Sequence, residues 1–153
     1  MSTIVESIDL RVPVRTAYDQ WTQFEDFPRF MAGVEKVEQL DDKRLRWVAK
    51  VGGKEKTWEA RITEQTPDER VAWKATSGAR NAGVVTFHRL DDSTTRVTVQ
   101  MEVEPEGPVE TLGDAAGVPE RQVKEDLERF REFIESRGRE TGAWRGEVKQ
   151  RVS

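Results

Sequence analysis

The chain has 153 residues, a length that fits one domain, with 35% hydrophobic and 35% charged residues and a formal charge of −4. Its 25 basic and 29 acidic residues form no basic cluster of the kind a nucleic-acid partner requires, and no run nears the roughly 20 apolar residues needed to span a bilayer. With no cysteine, disulfides, thiolate metal sites and cysteine catalysis are excluded. The N-terminus also lacks the basic and apolar runs of a secretion signal, so a cytoplasmic location is expected.

Thr3 to Val12 alternates, with Ile4, Ile8 and Leu10 on one parity and Glu6 interrupting it, and reads as a strand. Pro13 suits a helix start, and Thr16 to Trp21 with Phe24 makes a short amphipathic helix. Phe27 to Met31 reads as a second short helix that ends at Gly33. Pro28 removes a backbone donor, so the break between the two helices is expected near Phe27–Pro28. Trp21, Phe24, Phe27, Phe30 and Met31 give this pair too much apolar surface to stand alone.

From Val34 the period changes to two. Leu45, Trp47, Ala49 and Val51 share one parity, Trp58, Ala60 and Ile62 another face, then Val71, Trp73 and Ala75, then Val85 and Phe87, then Val97, Val99, Met101 and Val103. Asp41-Asp42, Gly52-Gly53, Thr66-Pro67-Asp68, Ser77-Gly78-Ala79-Arg80-Asn81 and Asp91-Asp92 separate these runs as turns or loops. The result is an antiparallel meander with one dry face.

Beyond Pro105 the period returns to 3.6. Leu112 and Ala116 lead into Val123, Leu127, Phe130 and Ile134, one apolar stripe on a long helix that Gly117-Val118-Pro119 is expected to kink or divide. Glu120/Lys124 and Glu125/Arg129 are i,i+4 pairs on its outer face, and Gly138 is its stop. Residues 139–153 are polar apart from Trp144 and read as a mobile tail on a single domain of residues 1–138.

These elements make an α+β domain of seven strands, two short helices and one long helix. A twisted sheet of that width exceeds a helix of about 10 Å diameter, so side chains either fill the gap or line a cavity. Trp47, Trp58 and Trp73 lie on the dry face, each able to bury roughly 150–250 Å². Ala49, Ala60 and Ala75 follow them by two residues, which predicts separate bands of large and small side chains across the sheet. Periodicity alone leaves a solid core and a lined pocket both open.

The run Val12-Pro13-Val14-Arg15-Thr16-Ala17-Tyr18-Asp19-Gln20-Trp21, followed by Phe24-Glu25-Asp26-Phe27-Pro28-Arg29-Phe30-Met31, resembles the opening of the polyketide cyclase/dehydrase and coenzyme Q-binding proteins. These belong to the START and birch-pollen-allergen-like (SRPBCC) superfamily. Val71-Ala72-Trp73-Lys74, Gly83 to Phe87, Thr94 to Thr98 and Asp126 to Glu135 are similar to its later strands and last helix. The resemblance implies a helix-grip fold, a seven-stranded antiparallel sheet wrapped around a C-terminal helix with a hydrophobic tunnel between. It does not imply one reaction.

Chemistry-bearing residues are sparse. His88 is the sole histidine and falls on the solvent parity opposite Phe87; Glu59, Glu64, Glu102 and Glu104 read as solvated. Tyr18, Arg80 and Asn81 are the polar candidates for touching a ligand. No set of pocket-facing Arg, Tyr and acid groups matches the cyclase branch. The expectation is a binding module for a lipid, quinone or aromatic polyketide, with no metal and no cofactor. Trp47, Ala49, Trp58, Ala60, Trp73, Phe87 and Met101 would line one wall and Val123, Leu127 and Phe130 the other, with Phe27 and Phe30 as the gate. A polyketide cyclase or dehydratase is the enzymatic alternative, and a stress-related interaction protein with a vestigial cavity is the third. Oligomeric state stays open.

Overall fold

The computed structural model describes residues 2–51, 54–78, 81–103 and 118–148. In chain order these form β1 (Ser2–Leu10), α1 (Val14–Trp21), a 3-10 helix (Phe24–Arg29), β2 (Val34–Gln39), β3 (Arg44–Val51), β4 (Lys54–Thr66), β5 (Arg70–Gly78), β6 (Asn81–Asp91), β7 (Thr94–Val103) and α2 (Val118–Arg137). The strands make one antiparallel sheet in the order β1-β7-β6-β5-β4-β3-β2. It is the expected helix-grip architecture: the meander runs from β2 to β7, and β1 returns to close the β7 edge beside α2.

Local chemistry sets the turns. Asp41 Oδ1 accepts the backbone N–H of Lys43 at 2.8 Å and of Arg44 at 2.9 Å, and Asp91 Oδ1 accepts that of Ser93 at 2.8 Å. Both are Asp side chains standing in for a backbone turn. Val51 pairs with Lys54, so β3 and β4 close around the expected Gly52–Gly53 hairpin, whose residues lie outside the described ones, as do Ala79 and Arg80. Gly138 takes φ +73, and its N–H bonds the Ile134 carbonyl at 2.9 Å, ending α2 where a side chain would strain the backbone.

Two expectations change. First, the break in the aromatic stretch falls at Thr22–Gln23, not at Phe27–Pro28. Thr22 N–H bonds the Tyr18 and Asp19 carbonyls, and its hydroxyl donates to Asp19 O at 2.6 Å, ending α1 early. Pro28 sits inside the 3-10 helix, where Asp26 N–H to Gln23 O and Phe30 N–H to Phe27 O flank it without needing its missing donor. α2 itself begins at Val118 with Pro119 in its first turn, where no intrahelical donor is lost, and the expected kink or division at Gly117-Val118-Pro119 reaches outside the described residues. Leu112, Ala116 and Gly117 lie outside the described residues.

Secondly, residues 139–148 are not a free polar tail. Val148 forms a two-residue antiparallel bridge with Gln65, with N···O distances of 2.8 and 2.9 Å, and is buried. Thr141 N–H donates to Gln20 Oε1 at 2.8 Å, and Trp144 N–H to Thr22 Oγ1 at 3.1 Å. Arg145 spans Asp19 at 2.5 Å and Asp68 at 2.8 Å. The segment is a strap that lies over α1 and the β4–β5 turn. Residues 149–153 of the expected tail lie outside the described residues.

Candidate functional site

The concave face follows from the strand registers. Directly opposed residues point the same way. Trp47 faces Trp58, Ala60 faces Leu45 and Ala75, Trp73 faces Ile62 and Gly83, and Gly83 faces Met101, which faces Ile4. The predicted bands of tryptophan and alanine do not form. A step of two residues runs in opposite directions on neighbouring antiparallel strands, so Ala49 and Ala60 lie on opposite sides of the Trp47–Trp58 pair. Trp58 pairs in turn with Gly78, five residues from Trp73, so Trp73 is out of line with that pair; the register shift at Glu59/Ala60 sets it opposite Ile62.

Burial along this face is graded. At the α1 end the interior is sealed by rings: Phe130 stands 5.1 Å from Trp21 and 5.0 Å from Phe30, Trp21 lies 5.3 Å from Phe27, and Tyr18 meets Phe87 edge-on at 5.4 Å. Leu45, Ile62, Val71, Val85, Val97, Leu127 and Ile134 are buried with them. Further along the same elements burial becomes incomplete. Trp47, Trp58, Trp73, Ala75, Met101 and Val123 are only partly buried, although each lies on the inner face or the α2 stripe. Ala49 and Ile4 are buried at the margins of this band.

Of the sequence-derived site residues, Trp47, Trp58, Trp73, Met101 and Val123 come together in the partly buried band. Ala49, Ala60, Phe87, Leu127 and Phe130 are buried behind or beside it. Phe27 and Phe30, expected as a gate, are 2% and 1% exposed and belong to the sealed aromatic end. Tyr18 turns toward Phe87 and the strap, and burial pushes its hydroxyl up to about 12, partly offset by the Gln65 amide beside it. His88 is exposed on the outer parity, and Arg80 lies outside the described residues. Asn81 shares the inner face and accepts the Trp73 indole N–H at 2.9 Å.

Gly83 makes room for that indole. A Cβ there would stand 2.8 Å from two Trp73 ring atoms and 2.7 Å from Gln100 O. Glu6, opposite Val99, Lys54, opposite Val51, and Lys56, opposite Ala49, are charged residues that register adds to the inner face; the period-two parity of β1 already pointed to Glu6. A separate groove of about 440 Å³ lies between the β1 edge and α2. Asp9, Arg96, Lys124, Glu128 and Arg131 line it, charges that suit water better than an apolar ligand.

Asp126 anchors the flank of α2 that faces the start of β2. It accepts from Arg129 at 3.0 Å and from the Ala32 backbone N–H, and burial pushes its carboxyl up to about 6. The folded state therefore binds this proton more tightly than the unfolded chain, whose Asp titrates near ~3.9. Stability from this group should rise as pH falls from 7 through 6 towards 4. Asp126→Asn should flatten that rise by on the order of 1 kcal/mol, the full shift being discounted for solvent screening of a partly exposed pair. Urea unfolding across that pH range measures it; an unchanged slope in the variant would contradict the assignment.

Among the described residues no three His, Cys, Asp or Glu side chains cluster as a metal site, and no helix is long and apolar enough to cross a membrane. Residues 10–132 match the family described as polyketide cyclase/dehydrase and lipid transport. An uncharacterised 17.2 kDa protein of Streptomyces lincolnensis, from the melC2–rnhH intergenic region, is 58% identical over 149 residues, covering 97% of this chain and 99% of that one. A START superfamily protein from Mycobacterium smegmatis shares the fold with TM-score 0.72 at 14% identity, over 86% of this chain and 98% of that chain. The Zhui aromatase/cyclase from Streptomyces sp. R1128 does so with TM-score 0.74 at 18% identity, over 94% and 99%. At these identities the two structures speak to the fold alone.

Proposed function

The chain belongs to the polyketide cyclase/dehydrase and lipid transport family, and from that premise we propose that it binds a hydrophobic small molecule between the concave face of the sheet and α2. The observation that supports this reading is the change in burial along single elements. Leu45 is closed off while Trp47 is not, Ile62 while Trp58 is not, Val99 while Met101 is not, and Leu127 while Val123 is not. A close-packed interior leaves few gaps between its side chains. Here three tryptophans and a methionine keep surface that a ligand could cover, at about 25 cal/mol for each Å² removed from water. Lipids, quinones and aromatic polyketides all satisfy this, and a flat ring system best matches the Trp47 and Trp58 indoles, which lie 6° from parallel.

The enzymatic alternative draws on Glu6, Lys56 and Asn81, which share the inner face on three strands. One experiment separates the two. Protein purified from its own host is expected to retain a hydrophobic mass in native mass spectrometry, and Ala75→Trp, which fills the floor of the band, is expected to lose it while still folding. Release of that compound after incubation, unchanged in mass, marks a carrier; loss of water from an added polyketone marks a dehydratase. Wild-type protein that neither retains nor takes up any apolar compound would reject both.

A further inference from the structure

Trp47 and Trp58 face each other directly across β3 and β4. Their rings are stacked, 5.7 Å apart and 6° from parallel, and Phe27 contacts Trp47 at 5.6 Å. This contact and the stacking hold the pair in place. Each indole has one polar group, an N–H that only donates. Both Nε1 atoms are shut off from solvent, and neither finds an acceptor among the described residues. The third tryptophan on this face differs, since Trp73 Nε1 is satisfied by Asn81 Oδ1 at 2.9 Å.

Leaving a donor desolvated and unpaired is unfavourable, and the effect of two adjacent ones adds. A wall that needed only bulk would do as well with phenylalanine, which stacks equally and carries no donor. We infer that Trp47 and Trp58 are the polar anchor of the proposed cavity, recognising a neutral acceptor oxygen, a ketone or quinone carbonyl, on a flat aromatic ligand. The inference rests on the binding reading above and narrows it. A pair of neutral donors suits a carbonyl, which needs no counter-charge. A saturated acyl chain offers nothing to accept these N–H groups. The parallel indoles set the plane in which a ring system slides alongside them.

The test compares 2-acetylnaphthalene with 2-ethylnaphthalene, near-isosteric probes that differ in one carbonyl, by calorimetric titration of the full chain. Wild-type protein is expected to bind the ketone about 3- to 10-fold more tightly per hydrogen bond formed. In Trp47→Phe/Trp58→Phe that preference should fall to about 1, with the hydrocarbon bound within roughly twofold of wild type. The single variants serve if the double variant melts early. Ultraviolet resonance Raman should show the indole N–H bands of wild type shifting with the ketone and not with the hydrocarbon. Both probes bound with no preference, or a preference that survives the phenylalanine variants, overturns the anchor and leaves the cavity standing. If neither probe binds, the cavity reading fails and the anchor with it.

Discussion

Phe130→Ala is expected to destabilise the domain by about 3–5 kcal/mol, lowering the thermal midpoint by roughly 10–15 °C. Phe130 is completely buried at the middle of the α2 stripe, with Trp21 5.1 Å away at 82° and Phe30 5.0 Å away. Truncation removes a ring that α1, the 3-10 helix and α2 all use, and the rings around it are themselves wedged together. They cannot collapse into the space, which puts the effect at the high end of core truncations. Phe130→Leu keeps most of the volume and should cost about 1–2 kcal/mol. Chemical unfolding followed by tryptophan fluorescence measures both. Equal losses for alanine and leucine would mean that the aromatic end is not the tightly packed unit described.

Arg145→Ala is expected to cost about 2–3 kcal/mol at pH 7, large for a residue outside every helix and strand. The reason is Asp19, whose side chain is 2% exposed. Among the described residues Arg145 is its closest cation, at 2.5 Å, while the exposed Arg15 is 3.7 Å away. Removing Arg145 leaves a buried carboxylate with a distant, solvent-screened cation, and leaves Asp68 without its partner as well. Burial already pushes the Asp19 carboxyl up despite Arg145. A carboxyl held above its unfolded value gains stability by taking up a proton as pH falls. The deficit of Arg145→Ala should therefore shrink as pH is lowered, because protonation removes the stranded charge. Asp19→Asn in the Arg145→Ala background should recover part of the loss at neutral pH, read as a coupling in a double-mutant cycle. A deficit independent of pH would place its origin in lost packing instead.

The sheet was legible in the sequence because period-two alternation assigns each side chain to a face without knowledge of its neighbours. Leu45, Ile62, Val85 and Val97 are buried where parity put them. Parity does not carry register. The row of Trp47, Trp58 and Trp73 broke because register is set between strands, not within one: Trp58 stands opposite Gly78, five residues from Trp73. Phe27 and Phe30 read as aromatic, but nothing in Phe27-Pro28-Arg29-Phe30 says whether such rings meet solvent or one another. The strap was missed for a different reason. Its partners Asp19, Gln20, Thr22 and Gln65 are polar, so it docks through hydrogen bonds and leaves no hydrophobic period to detect. The available signals were faint: Asp19 and Gln20 on a short helix otherwise destined for the core, and a lone Trp144 among charges.

The strap also bears on the order in which the domain can be completed. Arg145 and Asp19 are 126 positions apart, and Thr141 and Gln20 are 121. β1 waits similarly for β7, with Ile4 opposite Met101. A chain emerging from the ribosome can thus pair β2 through β6 in sequence, by short-range hairpins, while α1 still shows Asp19 and Gln20 to water. Only after the last dozen residues are made can those groups be covered. Contacts of such separation close slowly, so the docking of residues 139–148 is the natural last step of folding. A chain cut short near Gly138 would emerge with its meander formed and the α1 end uncovered, the state most exposed to proteolysis and association.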